Sequence, residues 1–335
     1  MSEGAARVLE ALRSAGGRPC SGGSLAEGLG VSRAQVWKHV ESLRRRGYEI
    51  VGSPGGGYQL GAVPDRLYPE EIQAGLRTRW LAREIEWLDS TDSSNRVAGE
   101  RARAGAPHGY TVVAEGQTAG RGRLGRAFFS PPYLNLYTSI VLRPALSLGE
   151  APTTILAAGI AVAEAIEETV GNAAAVEVKW PNDVLLAGRK TSGILMELAA
   201  EATRVGHLVL GIGVNLNVPR EAFPEEFRAT ATSLAAELGR PVRRADFARR
   251  LFGTLEDVLD VHAERGFGAL RLRWDRFYRM AGRAVVVSEP GGARLEGVAL
   301  EAEADGALAV RRGDGTVVRV LAGDVTLSPR AGAGA

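Results

Sequence analysis

The stretch Glu115-Gly116-Gln117-Thr118-Ala119-Gly120-Arg121-Gly122-Arg123-Leu124-Gly125-Arg126 gathers three arginines and four glycines in a segment with almost nothing apolar to bury. Glycine lets a backbone approach a ligand closely and turn its N–H groups inward, and a guanidinium fork matches phosphate or carboxylate oxygens. The chemistry on offer is therefore anion binding; the plainer reading is a solvated basic loop. Gly120, Gly122 and Gly125 also spell G-x-G-x-x-G. That fingerprint needs a helix opening directly behind it, and Phe128-Phe129-Ser130-Pro131-Pro132 argues against one, so a nicotinamide-dependent enzyme would rest on the match alone.

Three further stretches have the same character. Lys179-Trp180-Pro181-Asn182-Asp183 sets a lysine, an aromatic ring, an amide and a carboxylate at a strand-to-turn junction, where side chains can converge on a ligand. Gly188-Arg189-Lys190-Thr191-Ser192-Gly193 places Lys190 in the turn that starts the next strand. Arg189 separates Gly188 from Lys190 and the upstream glycine spacing is missing, so this is not a Walker A loop. Gly211-Ile212-Gly213-Val214-Asn215-Leu216-Asn217 reads as a strand with two glycines on one face, leaving a slot for a flat or slender ligand.

A chain of 335 residues with 45% hydrophobic content has room for two or three domains that position these groups. The net charge of +2 confines any nucleic-acid role to a local patch. Cys20 is the single cysteine, which excludes an internal disulfide and fits a reducing cytoplasm. Met1 to Ala15 has no apolar run resembling a signal peptide, no segment is long enough to span a bilayer, and the four histidines make no metal-ligand cluster. No metal centre and no membrane partner are expected.

Residues 1–63 read as a winged helix-turn-helix. Val8, Leu9 and Leu12 give a first helix, Ser24-Leu25-Ala26-Glu27 a capping box opening a second, and Ser32-Arg33-Ala34-Gln35 a capping box opening a third, with Val36, Val40 and Leu43 inward. Tyr48–Val51 and Tyr58–Leu60 flank Gly52-Ser53-Pro54-Gly55-Gly56-Gly57 as a hairpin wing. Eight bases stand against five acids over residues 1–63, and five of the bases fall on or just after the third helix, where DNA would be met. Residues 64–79 read as a linker. Residues 80–280 read as an α+β domain, with strands over 85–88, 110–114, 134–142, 176–180, 193–198 and 208–214. Its helices fall over 97–104, 155–170 (one stripe: Ile155, Gly159, Val162, Ile166, Val170) and 245–280. Residues 281–330 read as a small β-barrel, with turns at Pro290-Gly291-Gly292, Asp305-Gly306 and Gly313-Asp314-Gly315.

Taken in order, Ser90-Thr91, Gly120-Arg121-Gly122-Arg123, Lys179-Trp180-Pro181-Asn182-Asp183, Gly188-Arg189-Lys190 and Gly211-Ile212-Gly213-Val214-Asn215 closely resemble the successive motifs of biotin protein ligases. Ser32 to Val40 and Gly55-Gly56-Gly57-Tyr58 resemble the winged helix of the bifunctional type, which also represses the biotin operon. The likeness covers essentially the whole chain. It implies an α+β fold: a winged helix-turn-helix, a mixed, largely antiparallel sheet with flanking helices of the class II aminoacyl-tRNA synthetase/biotin ligase kind, and an SH3-like C-terminal β-barrel.

The resemblance also implies an activity. Biotin and ATP, with Mg2+ accompanying the nucleotide, give biotinyl-5′-adenylate, and biotin then passes to a lysine of a biotin carboxyl carrier domain. Arg121, Arg123, Lys179 and Lys190 are the implied catalytic residues. Ser90, Thr91, Asp92, Gln117, Gly122, Gly193 and Gly213 join Arg121, Arg123 and Lys190 around biotin, and Arg126, Asn182 and Asn215 join Arg123 and Lys190 around ATP or adenylate. Ser32, Arg33, Gln35, Trp37, Lys38 and Arg44 are implied to meet operator DNA, with a homodimer forming on adenylate binding. Asp92 stands where the family often has asparagine, and Phe128 where it often has tryptophan. A biotin-sensing repressor without ligase activity is the alternative; the intact set of Arg121, Arg123, Lys179 and Lys190 argues against it.

Overall fold

The computed structural model describes residues 1–53, 56–172, 175–201, 204–289 and 292–327, and the chain divides into two compact units at Arg66/Leu67. The first unit holds α1 (Glu3–Ser14), α2 (Gly22–Leu29), α3 (Arg33–Arg45), β1 (Ile50–Ser53) and β2 (Gly57–Leu60). Val8, Leu9, Leu12, Leu25, Val36, Val40 and Leu43 are buried at helical spacing and form its core. The Ser32–Gln35 capping box is present in both directions. The second helix starts earlier than expected: Ser21, not Ser24, is its N-cap, accepting the Ser24 N–H at 2.9 Å, and Ser24 already lies in the first turn. Strands β1 and β2 pair antiparallel as a hairpin shifted toward its tip: Gly52, Ser53 and Gly57, expected in the turn, lie in the strands, and Tyr48 and Glu49 precede β1; Pro54 and Gly55 of the tip lie outside the described residues.

The second unit opens with α4 (Pro69–Gln73), β3 (Ile85–Leu88), α5 (Ser94–Arg103), β4 (Thr111–Ala114) and β5 (Leu136–Leu142). Helix α6 (Thr153–Val170) precedes β6 (Val176–Lys179), β7 (Asp183–Leu186), β8 (Arg189–Glu201) and β9 (Arg204–Val214). Short helices α7 (Glu225–Arg228) and α8 (Leu234–Leu238) lead to α9 (Arg244–Arg265) and α10 (Arg271–Phe277). Strands β10 (Ala284–Ser288), β11 (Arg294–Ala302), β12 (Leu308–Arg311), β13 (Val317–Val320) and β14 (Asp324–Leu327) follow.

The central sheet has seven strands in the order β3-β4-β5-β9-β8-β7-β6, and its pairs are antiparallel except β3 with β4. Strand β7 was not expected. It occupies the four residues between Asn182 and Ala187, and Ala187 and Gly188, at φ +50° and +74°, join it to β8. Two successive positive φ values define the two-residue hairpin turn whose twist matches the flanking strands. Helix α6 is buried almost all round rather than along one stripe, because it packs between the sheet and α9; Ile155 and Val170, expected inside, are only half-buried. Residues 64–79 are not a free linker either: they contain α4, and Leu67 and Ile72 are fully buried in the main core.

The last five strands form an antiparallel sheet in the order β13-β12-β11-β10-β14. Pro290 and Gly291 of one expected turn, and residues 328–330, lie outside the described residues. Trp180 ties this sheet down, its indole N–H reaching the Gly306 carbonyl at 2.9 Å.

On α9, the buried Glu256 carboxylate accepts the backbone N–H groups of Arg79, Trp80 and Leu81 at 2.7–3.0 Å. Burial alone would raise its pKa, but these three donors outweigh burial and hold it below the usual carboxylate value. A depressed folded-state pKa contributes stability that is complete above the unfolded value of about 4.3 and is lost as pH falls through the folded value. The melting temperature of Glu256→Gln should therefore fall less steeply below about pH 4.3 than that of the wild type. Parallel pH–melting curves for the two proteins would contradict this.

Candidate active site

A cavity of about 760 Å³ opens where the central loop, β6 to β9 and the end of the C-terminal sheet meet. That is the size of a pocket for a small organic ligand. Arg121, Arg123, Arg126, Lys179 and Lys190, drawn from three separate stretches of sequence, all line it. The loop reaches them because no helix follows the glycines: after a single turn over Arg123–Gly125 the chain runs without helix to the prolines, turns at Pro132–Leu134 with Tyr133 at φ +64°, and enters β5.

Each cation has a stand-in partner. Lys190 Nζ lies 2.7 Å from the buried Asp183 carboxylate and Lys179 Nζ 3.8 Å from it. Arg121 pairs with Glu197 at 3.2 Å and Arg126 with Asp324 at 2.5 Å. Arg123 donates to Asn182 Oδ1 and to the Gly323 carbonyl, both at 3.0 Å, which straps the loop across the cavity. Burial pushes the Arg123 guanidinium down from its ordinary value, although it stays charged. Partly exposed pairs of this kind are weak, so an incoming anion can displace them.

Among the remaining expected residues, Gln117, Gly122, Asn182, Gly193 and Gly213 line the cavity. Gln117 is fixed by the Ser94 N–H at 2.8 Å and by donating to Ser130 Oγ at 3.0 Å. Ser90, Thr91, Asp92 and Asn215 do not line it. Helix α5 begins at Ser94 rather than near Val97, so Ser93, Ser94 and Asn95 face the cavity instead. Asp92 is held well below the usual carboxylate range, chiefly by its bond to Arg96 at 2.5 Å. Asn215 is buried and bonded to Asn135 and to the Thr232 carbonyl.

The glycine slot is divided. A Cβ on Gly211 would lie 2.0 Å from Asn95 Oδ1, so that space belongs to the protein itself. Gly193 and Gly213 are cross-strand partners, and the Phe128 ring lies on them; a Cβ on Gly213 would meet it at 2.5 Å. Trp180, expected to converge on a ligand, is buried under the C-terminal sheet. Sequence reading missed Asp324 to Leu327 in the lining, and nothing local to those residues signals it. Glu197, the partner of Arg121, was also missed, although it lies in the same strand as Lys190, seven residues on.

On α3 the expected DNA-facing residues separate. Arg33, Trp37 and Lys38 are exposed, Trp37 to 54%. Ser32 and Gln35 are engaged in the capping box. Arg44 is drawn away to the Ile50 carbonyl and Glu41, locking the helix to the wing.

Fold and site together define a class: a domain that gathers five cationic side chains around one cavity, carried on one chain with a winged-helix module. The description "Biotin/lipoate A/B protein ligase family" matches residues 87–215, and "HTH domain" matches residues 5–59. The bifunctional ligase/repressor BirA of Bacillus subtilis is 34% identical over 320 residues, covering 96% of this chain and 97% of its own. Its Escherichia coli counterpart is 31% identical over 316 residues, covering 92% of each. A biotin protein ligase from Aquifex aeolicus, solved in complex with biotin and ATP, aligns with a TM-score of 0.63 at 27% identity, covering 73% of this chain and 99% of that one. The chain belongs to the biotin protein ligase family, in its bifunctional ligase/repressor form.

Proposed function

We propose that the cavity activates biotin with ATP and hands it to a carrier lysine, and that the activated product also controls DNA binding. The observation that carries the first part is the convergence of Arg121, Arg123, Arg126, Lys179 and Lys190 on one cavity. A biotin carboxylate oxygen attacks the α-phosphorus of ATP, the bond to the bridging oxygen breaks, and pyrophosphate leaves. Two anions approach in that step, so fixed cations that lose their weak internal partners to the substrate offset the charge that develops. A carrier-domain lysine amine then attacks the mixed anhydride, forming the amide and releasing AMP. No protein nucleophile is needed.

In this reading Gln117 holds the ureido head of biotin and Gly122, Gly193 and Gly213 give it a flat wall. Arg126, Asn182 and Lys190 face the nucleotide. Magnesium travels with the phosphates, for which one or two nearby carboxylates suffice; Asp183 and Asp324 line the cavity, and no group of three or more acids, histidines or cysteines among the described residues is placed to hold a metal ion. We assign residues 1–63 to DNA binding, 80–280 to catalysis and 281–330 to an SH3-like barrel, with the chain working in the cytoplasm. No helix among the described residues is long and apolar enough to cross a membrane.

Adenylate binding orders the loop and favours a homodimer, which presents two copies of α3 to the half-sites of an operator. Arg33, Trp37 and Lys38 read or contact that DNA. Purified protein given ATP, labelled biotin and a carrier domain should label one carrier lysine. Fluorescence anisotropy on its own upstream DNA should tighten about tenfold or more when biotin and ATP are added, which corresponds to about 1.4 kcal/mol of coupling. Carrier left unlabelled sinks the ligase reading; DNA affinity that ignores biotin and ATP sinks the corepressor reading.

A further inference from the structure

The central loop leaves the sheet at Glu115 and returns to it at Tyr133, and both ends meet on one residue. The Glu115 carbonyl accepts the Tyr133 N–H at 2.9 Å, while the Glu115 N–H donates to the Leu88 carbonyl at 2.9 Å. The Glu115 carboxylate is fully buried, as is Arg244, the first residue of α9, whose Nη1 donates to it at 2.8 Å. Its other oxygen accepts the Leu67 N–H at 2.9 Å and the Trp87 indole N–H at 3.1 Å. Arg244 Nη1 also reaches the Asn135 carbonyl at 3.3 Å, and Asn135 bonds the Leu216 N–H and Asn215 Oδ1 just beyond β9. An interior polar chain thus runs from the base of the loop, through α9, to the end of β9. Neither Glu115 nor Arg244 lines the cavity.

Desolvation largely offsets the attraction within a buried ion pair, so apolar side chains of similar volume could hold the fold as well. What they could not supply is direction. Several oriented bonds onto one carboxylate fix its backbone in a single position, and that backbone is where the loop begins and ends.

We propose that Glu115 and Arg244 are positioning residues for the adenylate site. The pair holds the base of the loop over residues 116–132 in one register, so that Gln117, Arg121 and Arg123 close over the adenylate in the same place at every turnover. This rests on the proposal above that the loop orders over bound adenylate, which makes it the lid of the site. A loosened base lets the lid reopen more often, which shortens adenylate retention and raises the biotin KM but leaves chemistry from the bound state intact.

Glu115→Gln alone strands a buried guanidinium and is expected to lower the melting temperature, so the double variant Glu115→Gln/Arg244→Met is the better probe. Adenylate is formed on the full chain from biotin and ATP, excess is removed by rapid gel filtration, and its loss from the protein is followed in time. Single-turnover transfer to a carrier domain is measured beside it. The expected result is a melting temperature near that of the wild type with adenylate loss about tenfold faster or more, since a positioning group misplaced by about 1 Å costs up to about 10². Transfer from bound adenylate should stay within about twofold. Retention equal to the wild type overturns the proposal, and so does a loss of transfer rate as large as the loss of retention. Should the double variant not fold, Trp87→Phe, which deletes the indole N–H given to Glu115, decides by the same measure: adenylate loss about tenfold faster supports the proposal, as one hydrogen bond to a charged group warrants, and unchanged loss overturns it. Wild-type protein that forms no adenylate at all sinks the ligase reading and this proposal with it, and that failure is visible in the wild-type arm alone.

Discussion

Replacing Lys190 with alanine is expected to slow adenylate formation by about 10² to 10³, roughly 3 to 4 kcal/mol in the barrier, because it removes a preorganised cation where charge develops. Lys190 is held in place from both sides. Its backbone N–H donates to the Thr230 carbonyl at 2.7 Å, and its ammonium sits 2.7 Å from Asp183. The backbone bond places Lys190 beside the cavity before substrate arrives, and its ammonium has only to exchange Asp183 for the substrate's anion, so little reorganisation accompanies the developing charge. Transfer from preformed adenylate involves a neutral amine and an anhydride already activated, so it should lose far less. The check is to measure the two half-reactions separately in Lys190→Ala. Equal losses in both would reduce Lys190 to a docking or folding role.

Arg123→Gly should release adenylate from the protein about 10² times faster. Arg123 makes two bonds, one to Asn182 beside β7 and one to Gly323 at the entry to β14, and hydrogen bonds to a charged group contribute about 1.5 kcal/mol each at the lower end. Their sum of about 3 kcal/mol corresponds to about two decades in a rate. The neighbouring Leu124 holds φ +56°, a conformation that costs a non-glycine residue about 1 kcal/mol or more, so the loop tip has little reason to stay closed once the strap is cut. Free adenylate acylates any accessible amine, and a mixture of carrier domain and an unrelated lysine-rich protein should become labelled without selectivity. Labelling confined to the carrier at the wild-type rate would remove Arg123 from the lid.

The winged helix was legible almost residue by residue, because its signals are local. The Ser32–Gln35 capping box and the spacing of Val36, Val40 and Leu43 act within a few turns of one helix. Where a local signal was duplicated, the expectation failed: Ser21 and Ser24 both offer an N-cap hydroxyl, and the helix starts at the earlier one, with Ser24 in its first turn. Strand β7 escaped because it is only four residues long, Asp183–Leu186, between Asn182 and Ala187, too short for alternation to show. The cavity-lining Ser93, Ser94 and Asn95 escaped for a similar reason. A helix starting at Ser94 instead of near Val97 turns a different set of side chains toward the sheet.

By itself the sequence determined which chemistry the chain carries: arginines and glycines too polar to bury, lysines at strand ends, and a chain order that resembles one family. Only the tertiary structure decided which of these groups share a cavity and which are structural. Arg123 meets Gly323 across 200 residues, and Glu115 meets Arg244 across 129. Such contacts are set by sheet register and by how α9 and the C-terminal sheet pack against it. A one-residue slip of either strand would turn its glycine to the opposite face, and the register that prevents this is set along the whole β8–β9 pair, from Ser192 with Val214 to Glu201 with Arg204.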